Sequence, residues 1–186
     1  RRTEQYSERL SRLYPELHKP TGKEKVLTQT VTFQVTDDCN LACNYCYQMH
    51  KGKKKMSFET AKKMVDLLLS GDKGMGDYIN PQKSPGLIVD FIGGEPLLEI
   101  DLIDRICSYT INRMIELSHP WLTRTMFSIC SNGVCYFESE VQRVLQQWNQ
   151  RLSFSVTVDG NKELHDSCRV FPDGRPSYDL AISAAK

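Results

Sequence analysis

The chain has 186 residues, 40% of them hydrophobic and 25% charged, with a formal net charge of +1. That balance fits one ordinary globular domain and gives no electrostatic reason to expect nucleic acid or an anionic membrane as a partner. No apolar run approaches the roughly 20 residues of a membrane span, and no charged-then-apolar leader marks a secretory signal.

Residues 3–17 are charged, with Leu10, Leu13 and Leu17 at helical spacing and Pro15 as an interruption. They predict a short helix packed on the domain. The polar stretch that follows, with Pro20 and Gly22, reads as a linker, so residues 1–29 form a lead-in and residues 30–186 the domain proper. Residues 30–36 alternate around Val31, Phe33 and Val35 and predict a first strand. A loop holding Cys39, Cys43 and Cys46 comes next, then a solvated basic loop around Lys53, Lys54 and Lys55. Ser57 caps a helix whose apolar stripe is Ala61, Met64, Val65, Leu68 and Leu69. Residues 71–85 form a long loop.

Residues 87–92 are nearly all apolar, as in a strand buried on both faces of a parallel sheet. They run into Gly93-Gly94-Glu95-Pro96. A helix over 101–117 offers Leu102, Ile103, Ile106, Ile111 and Ile115 to the core. A third strand over 125–130 ends in Ser131-Asn132-Gly133. A third helix over 138–148 presents Val141, Val144, Leu145 and Trp148. A fourth strand over 152–158 ends in Asp159-Gly160, and a loop carrying His165 to Arg169 leads to a fourth helix over 178–185. The order βαβαβαβα predicts an α/β fold with a parallel sheet and right-handed crossovers. Four βα units are half of an eight-fold barrel or two-thirds of a six-fold one. The chain starts without Met and stops inside its last predicted helix, so it reads as a piece of a longer protein.

The seven cysteines are an odd count, and three share one loop, which disfavours a disulfide framework and suits a reducing, cytoplasmic setting. The C-x3-C-x2-C spacing of Cys39, Cys43 and Cys46 lets one loop fold three sulfurs toward a single centre, and thiolates are ligands for iron–sulfur clusters and for zinc. A four-iron cube held at three corners leaves one iron open to a small molecule. Cys107 and Cys130 read as buried thiols. Glycines at 93 and 94 bare the backbone to a ligand, and Glu95 beside them suits an ammonium group. Arg169 suits a carboxylate. His165 with Cys168 raises a nucleophile–base pair, but a histidine bracing its loop is the better reading. Each strand-end motif alone is an ordinary turn. Four in a row on one rim describe a pocket.

Cys39, Cys43 and Cys46 with Tyr45, followed by Gly93-Gly94-Glu95-Pro96, resemble the radical S-adenosylmethionine (SAM) enzymes. The Asp159-Gly160 turn with His165-Asp166 and Arg169 is similar to their peptide- and protein-modifying branch, which includes sulfatase-maturing enzymes and maturases of ribosomally made peptides, many with a SPASM-type C-terminal domain. The resemblance implies a partial six-unit barrel and a 4Fe–4S cluster on the three cysteines, with SAM at its open iron. It implies that the Tyr45 segment lies against the adenine and that Gly93, Gly94 and Glu95 receive the methionine amino group. Ser131 and Thr157 face the ribose, Arg169 takes the methionine carboxylate, and Asn132 and Asp159 support these turns. It further implies reductive cleavage of SAM to a 5′-deoxyadenosyl radical that abstracts hydrogen from a peptide, forming a thioether or carbon–carbon crosslink. A flavodoxin- or ferredoxin-type electron donor is implied, with auxiliary iron–sulfur clusters in a C-terminal remainder. Two other readings stand beside this one. One is a radical SAM enzyme acting on a small molecule. The other is a structural zinc module with His50 as fourth ligand.

Overall fold

β-branched and aromatic residues alternate through four short runs, and each run is a strand. In the computed structural model, which describes residues 28–48, 52–70, 80–81 and 83–186, these are β1 (Gln29–Thr36), β2 (Leu87–Gly93), β3 (Thr125–Ser131) and β4 (Leu152–Val156). All pair in parallel, in the order β1-β2-β3-β4. The predicted lead-in helix and His50 lie outside the described residues, as does most of the 71–85 loop.

Among the described residues five α-helices connect and follow the strands: α1 (Phe58–Leu69), α2 (Ile100–Glu116), α3 (Ser139–Gln147), α4 (Lys162–Cys168) and α5 (Tyr178–Ala184). Ser57 caps α1 as expected, its Oγ accepting from the Thr60 N–H at 3.0 Å. One face of the sheet carries Phe33, Val35, Leu87, Val89, Phe91, Phe127 and Ile129, all buried. Phe33, Phe91 and Phe127 form an aromatic seam across three strands, with centroids 6.1 and 6.2 Å apart. Helices α1 and α2 pack on each other, and Val65, Leu68, Ile103, Ile106 and Met114 join the same core.

Three expectations need correction here. Ile115 is 56% exposed rather than in the core. The buried stripe of α2 runs through Ile103, Ile106, Cys107, Thr110 and Met114, because Thr110 silences its hydroxyl by donating to the Ile106 carbonyl at 2.8 Å. β2 is not buried on both faces: Ile88, Asp90 and Ile92 are half-buried, since the second face of the sheet is the inner wall of an open barrel. Finally, the stretch around His165 is helix α4, capped by the Asn161 side chain accepting from the Leu164 N–H at 3.0 Å. With only seven residues and one buried side chain, it has no apolar stripe to announce it.

Candidate functional site

The cysteine loop leaves the carboxyl end of β1 and is tied to the far side of the sheet. The Ala42 N–H donates to the Val170 carbonyl at 2.7 Å and the Asn44 N–H to the Cys168 carbonyl at 3.0 Å. Leu41 is buried and anchors the loop from within. Cys39, Cys43 and Cys46 are left half-buried. All three line one cavity of about 310 Å³ at the carboxyl rim of the sheet, where α/β folds hold ligands. Tyr45, Gly93, Gly94, Glu95, Ser131, Asn132, Thr157 and Arg169 line it too. Every residue that the resemblance assigns to the cluster or to SAM is thus on this cavity except Asp159, which bonds to Tyr45 and Arg169 on its wall.

The glycine pair first serves the chain's own backbone. A Cβ on Gly94 would stand 2.3 Å from the Asp38 carbonyl oxygen. The Gly94 N–H donates to the Thr36 carbonyl at 3.0 Å and the Glu95 N–H to the Asp38 carbonyl at 2.8 Å. Only glycine lets the ends of β1 and β2 close this far at the point where the cysteine loop begins. Gly94→Ala is therefore expected to cost about 1–3 kcal/mol, the usual range for overpacking. Thermal melts should show a drop of several °C, and iron uptake should fall with it as Asp38 and the adjoining Cys39 are displaced.

Glu95 is 1% exposed. Its Oε1 accepts from the Leu97 N–H at 2.9 Å and from the Ser131 hydroxyl at 2.8 Å. Its Oε2 accepts from the Asn132 N–H at 2.8 Å. The carboxyl thereby clamps the rim of β2 to the rim of β3. Burial pushes its pKa up, and the donors from Asn132, Leu97 and Ser131 pull against that. A carboxylate offers about four acceptor sites, so three internal donors leave capacity for one more from the cavity. Ser131 is 2% exposed, and its hydroxyl donates to Glu95 and accepts from the Gly133 N–H at 2.9 Å.

On the opposite wall, Asp159 accepts from the Arg169 Nε at 2.8 Å and from the Tyr45 hydroxyl. The Arg169 guanidinium lies 5.4 Å from the Tyr45 ring centre. Burial raises the Asp159 pKa, but the bonds from Tyr45 and Arg169 outweigh it and hold the carboxyl below its usual range. Burial and the bond to Asp159 push the Tyr45 phenol up to about 12. Arg169 is thus fixed at one edge while its group faces the cavity.

His165 is 1% exposed and braces this wall. The Asp159 N–H donates to its Nδ1 at 3.2 Å, so Nε2 carries the hydrogen and meets Ser177 Oγ at 3.1 Å. Ser177 in turn donates to the Arg169 carbonyl at 2.7 Å. Asp166 caps α5, accepting from the Ser177 and Tyr178 N–H groups at 3.0 and 2.9 Å. With both ring nitrogens engaged in this brace, His165 is no base for Cys168. Burial, helped by the charge of Arg169, lowers its pKa from the ordinary 6.5. The folded state then binds fewer protons than the unfolded chain. Its stabilisation is complete above about pH 6.5 and is lost as pH falls from there through the depressed folded value. Melting temperature should fall on acidification below that point, and less steeply in His165→Gln.

Cys130 is exposed, not buried. Alternation from the core residue Ile129 turns it to the inner face, where it lines the cavity with its Sγ 3.6 Å from Thr157 Oγ1. Ile92, next to Phe91, lines the cavity for the same reason. The period-two pattern carried that signal for both. Tyr47 and Gln48 also line it, and nothing in the sequence set them apart. Among the described residues, no three His, Cys, Asp or Glu side chains close on a single ion site. A four-iron cube instead takes thiolates at separate corners, and three thiols around one cavity fit that demand.

Residues 28–178 match the family model described as a 4Fe–4S single cluster domain. An uncharacterized protein of Methanocaldococcus jannaschii is 28% identical over 144 residues, covering 77% of this chain and 43% of that protein. A serine-type anaerobic sulfatase-maturating enzyme of Bacteroides thetaiotaomicron is 28% identical over 148 residues, covering 75% of this chain and 31% of that enzyme. The solved structure of native anSMEcpe with bound AdoMet superposes with a TM-score of 0.63 at 19% identity, over 84% of this chain and 39% of that one. The form with AdoMet and the Cp18Cys peptide gives a TM-score of 0.61 at 20% identity, over 85% and 38%. The chain therefore spans less than half the length of these relatives, and shares the fold of the two solved structures over that part. Among the described residues no helix is long and apolar enough to cross a membrane. Since the family match runs from the first strand to the start of the last helix, this chain belongs to the 4Fe–4S single cluster domain family.

Proposed function

We propose that Cys39, Cys43 and Cys46 hold a 4Fe–4S cluster with SAM at its open iron, and that the protein uses them to abstract hydrogen from a peptide. The observation that carries this is the convergence of three thiols, the Glu95 carboxyl and the Arg169 guanidinium on one cavity. When bound, cluster and SAM supply reductive cleavage of the sulfonium to a 5′-deoxyadenosyl radical, which is the hard chemistry of the reaction. The chain's own residues bind and orient. The spare acceptor capacity of Glu95 suits the methionine ammonium, and Arg169, aligned by Asp159, suits the methionine carboxylate. Thr157 faces the ribose, since the Ser131 hydroxyl is engaged by Glu95. Tyr45 and the backbone of Gly93 and Gly94 complete the walls. Fixing these groups in advance holds the cofactor in one orientation toward the substrate carbon.

A peptide is favoured over a small molecule by the relatives, one of which is a sulfatase-maturating enzyme and one of which was solved with a peptide. The partner is then a ribosomally made precursor, the product a thioether or carbon–carbon crosslink, and the electron donor a flavodoxin or ferredoxin. The test is anaerobic turnover of the full-length protein with SAM, dithionite and candidate precursor peptides. 5′-Deoxyadenosine release should rise with the right peptide, and mass spectrometry should find that peptide lighter by two hydrogen atoms. Release that no peptide stimulates, but a small molecule does, contradicts the peptide reading.

A further inference from the structure

Behind the cysteine loop lies a carboxamide pair that the cofactor contacts above do not use. Asn132 follows β3, and its backbone N–H is held by Glu95. Its Oδ1 accepts from the Val134 N–H at 2.9 Å. That bond settles which way the amide points, so Nδ2 faces the cysteine loop. A carboxamide nitrogen has two hydrogens. One goes to Asn40 Oδ1 at 2.7 Å, and the other is aimed at Cys39 Sγ, 3.9 Å away. Asn40 is itself held, its Nδ2 donating to Cys135 Sγ at 3.2 Å. Cys135 is buried, which with Glu138 pushes its pKa up to about 12, so it stays a neutral thiol. Cys39 Sγ also accepts from the Leu41 N–H at 3.4 Å, but that donor belongs to the loop itself. Asn132 reaches it from the end of another strand, β3.

We propose that Asn132 is a tuning residue: its Nδ2–H, aligned by Val134 and Asn40, donates to the Cys39 thiolate and raises the reduction potential of the cluster. This rests on the cluster reading given above. A cluster gains negative charge on reduction, and a donor on a ligand sulfur stabilises that charge more in the reduced state than in the oxidised one. Burial sharpens the effect, because Asn132 is buried and little water competes. The same residue touches Glu95 through its backbone, so the ammonium site and the cluster ligand share one rigid turn.

The experiment is an EPR-monitored redox titration of the reconstituted full-length protein, wild type against Asn132→Ala and Asn132→Asp, with iron counted in each. Asn132→Ala should keep its iron and shift to a more negative potential. A tenfold weaker reduction equilibrium is the expected size, about 59 mV for one electron. Asn132→Asp keeps the shape, loses the donor and adds a negative charge, so it should shift further in the same direction. A residue that only stiffened the turn would change the melting temperature and leave the potential alone. Unchanged potentials in iron-loaded variants overturn the proposal while leaving the cluster reading intact. Should Asn132→Ala hold no iron, Asn40→Ala, which removes the anchor and keeps the donor, decides by the same titration. A smaller negative shift supports the proposal and an unchanged potential overturns it. A wild type that takes up no iron overturns the cluster reading, and this proposal with it.

Discussion

Cys43→Ala is expected to abolish cluster assembly and to lower 5′-deoxyadenosine formation by two orders of magnitude or more, with the fold intact. The two halves of that expectation come from different atoms. The loop is fastened by the backbone of Ala42 and Asn44 to α4 and its C-terminal neighbour, and by buried Leu41. None of these involves the Cys43 side chain. Removing a half-buried sulfur should therefore cost the iron-free protein about 1 kcal/mol, the ordinary size for a single substitution, and leave it folded. The loss of function is large because groups merely hydrogen-bonded to a metal ligand already cost about 10–100-fold when removed, and Cys43 would be the ligand itself. Iron analysis, thermal melts and chromatography of 5′-deoxyadenosine check the three parts. A variant with wild-type iron and product excludes Cys43 as a ligand.

The second large effect is on stability. Glu95→Ala is expected to cost about 3 kcal/mol or more, because it strands the Leu97 N–H, the Ser131 hydroxyl and the Asn132 N–H at a buried site. Each buried donor left without a partner costs about 1–3 kcal/mol, reduced where water enters from the cavity. For a chain of this size 1 kcal/mol moves the melting temperature by roughly 2–4 °C, so a fall on the order of 10 °C is the prediction. Glu95→Gln should sit between the two, since it keeps one carbonyl acceptor but turns an NH2 toward a donor. A Glu95→Ala melt within 2 °C of wild type, on the same scale, shows that the clamp between β2 and β3 does not carry the rim.

The alternation of Val31, Phe33 and Val35, and the apolar run of β2, were enough to read the strands. Since each strand ended in a polar or glycine turn, the rim and its cavity were legible as well. What remained hidden was how side chains meet across strands. That Glu95 is buried and clamps Ser131 follows from the parallel pairing of β2 with β3, which no local pattern reveals. The same holds for the crowding of Gly94 against Asp38. Helix α4 has no signature in the sequence, because a short helix held by caps leaves no periodic stripe. For Cys130 residue type and strand phase disagree: a free thiol is usually buried, but the phase set by Ile129 puts it on the inner face.

Low-temperature EPR of the anaerobically reconstituted, dithionite-reduced protein, with and without SAM, tests the central claim most directly. A reduced four-iron signal that changes shape when SAM is added means that the iron without a cysteine takes the ligand, as proposed for the cluster on Cys39, Cys43 and Cys46. A protein without such a signal, or one whose signal SAM leaves untouched, contradicts the account.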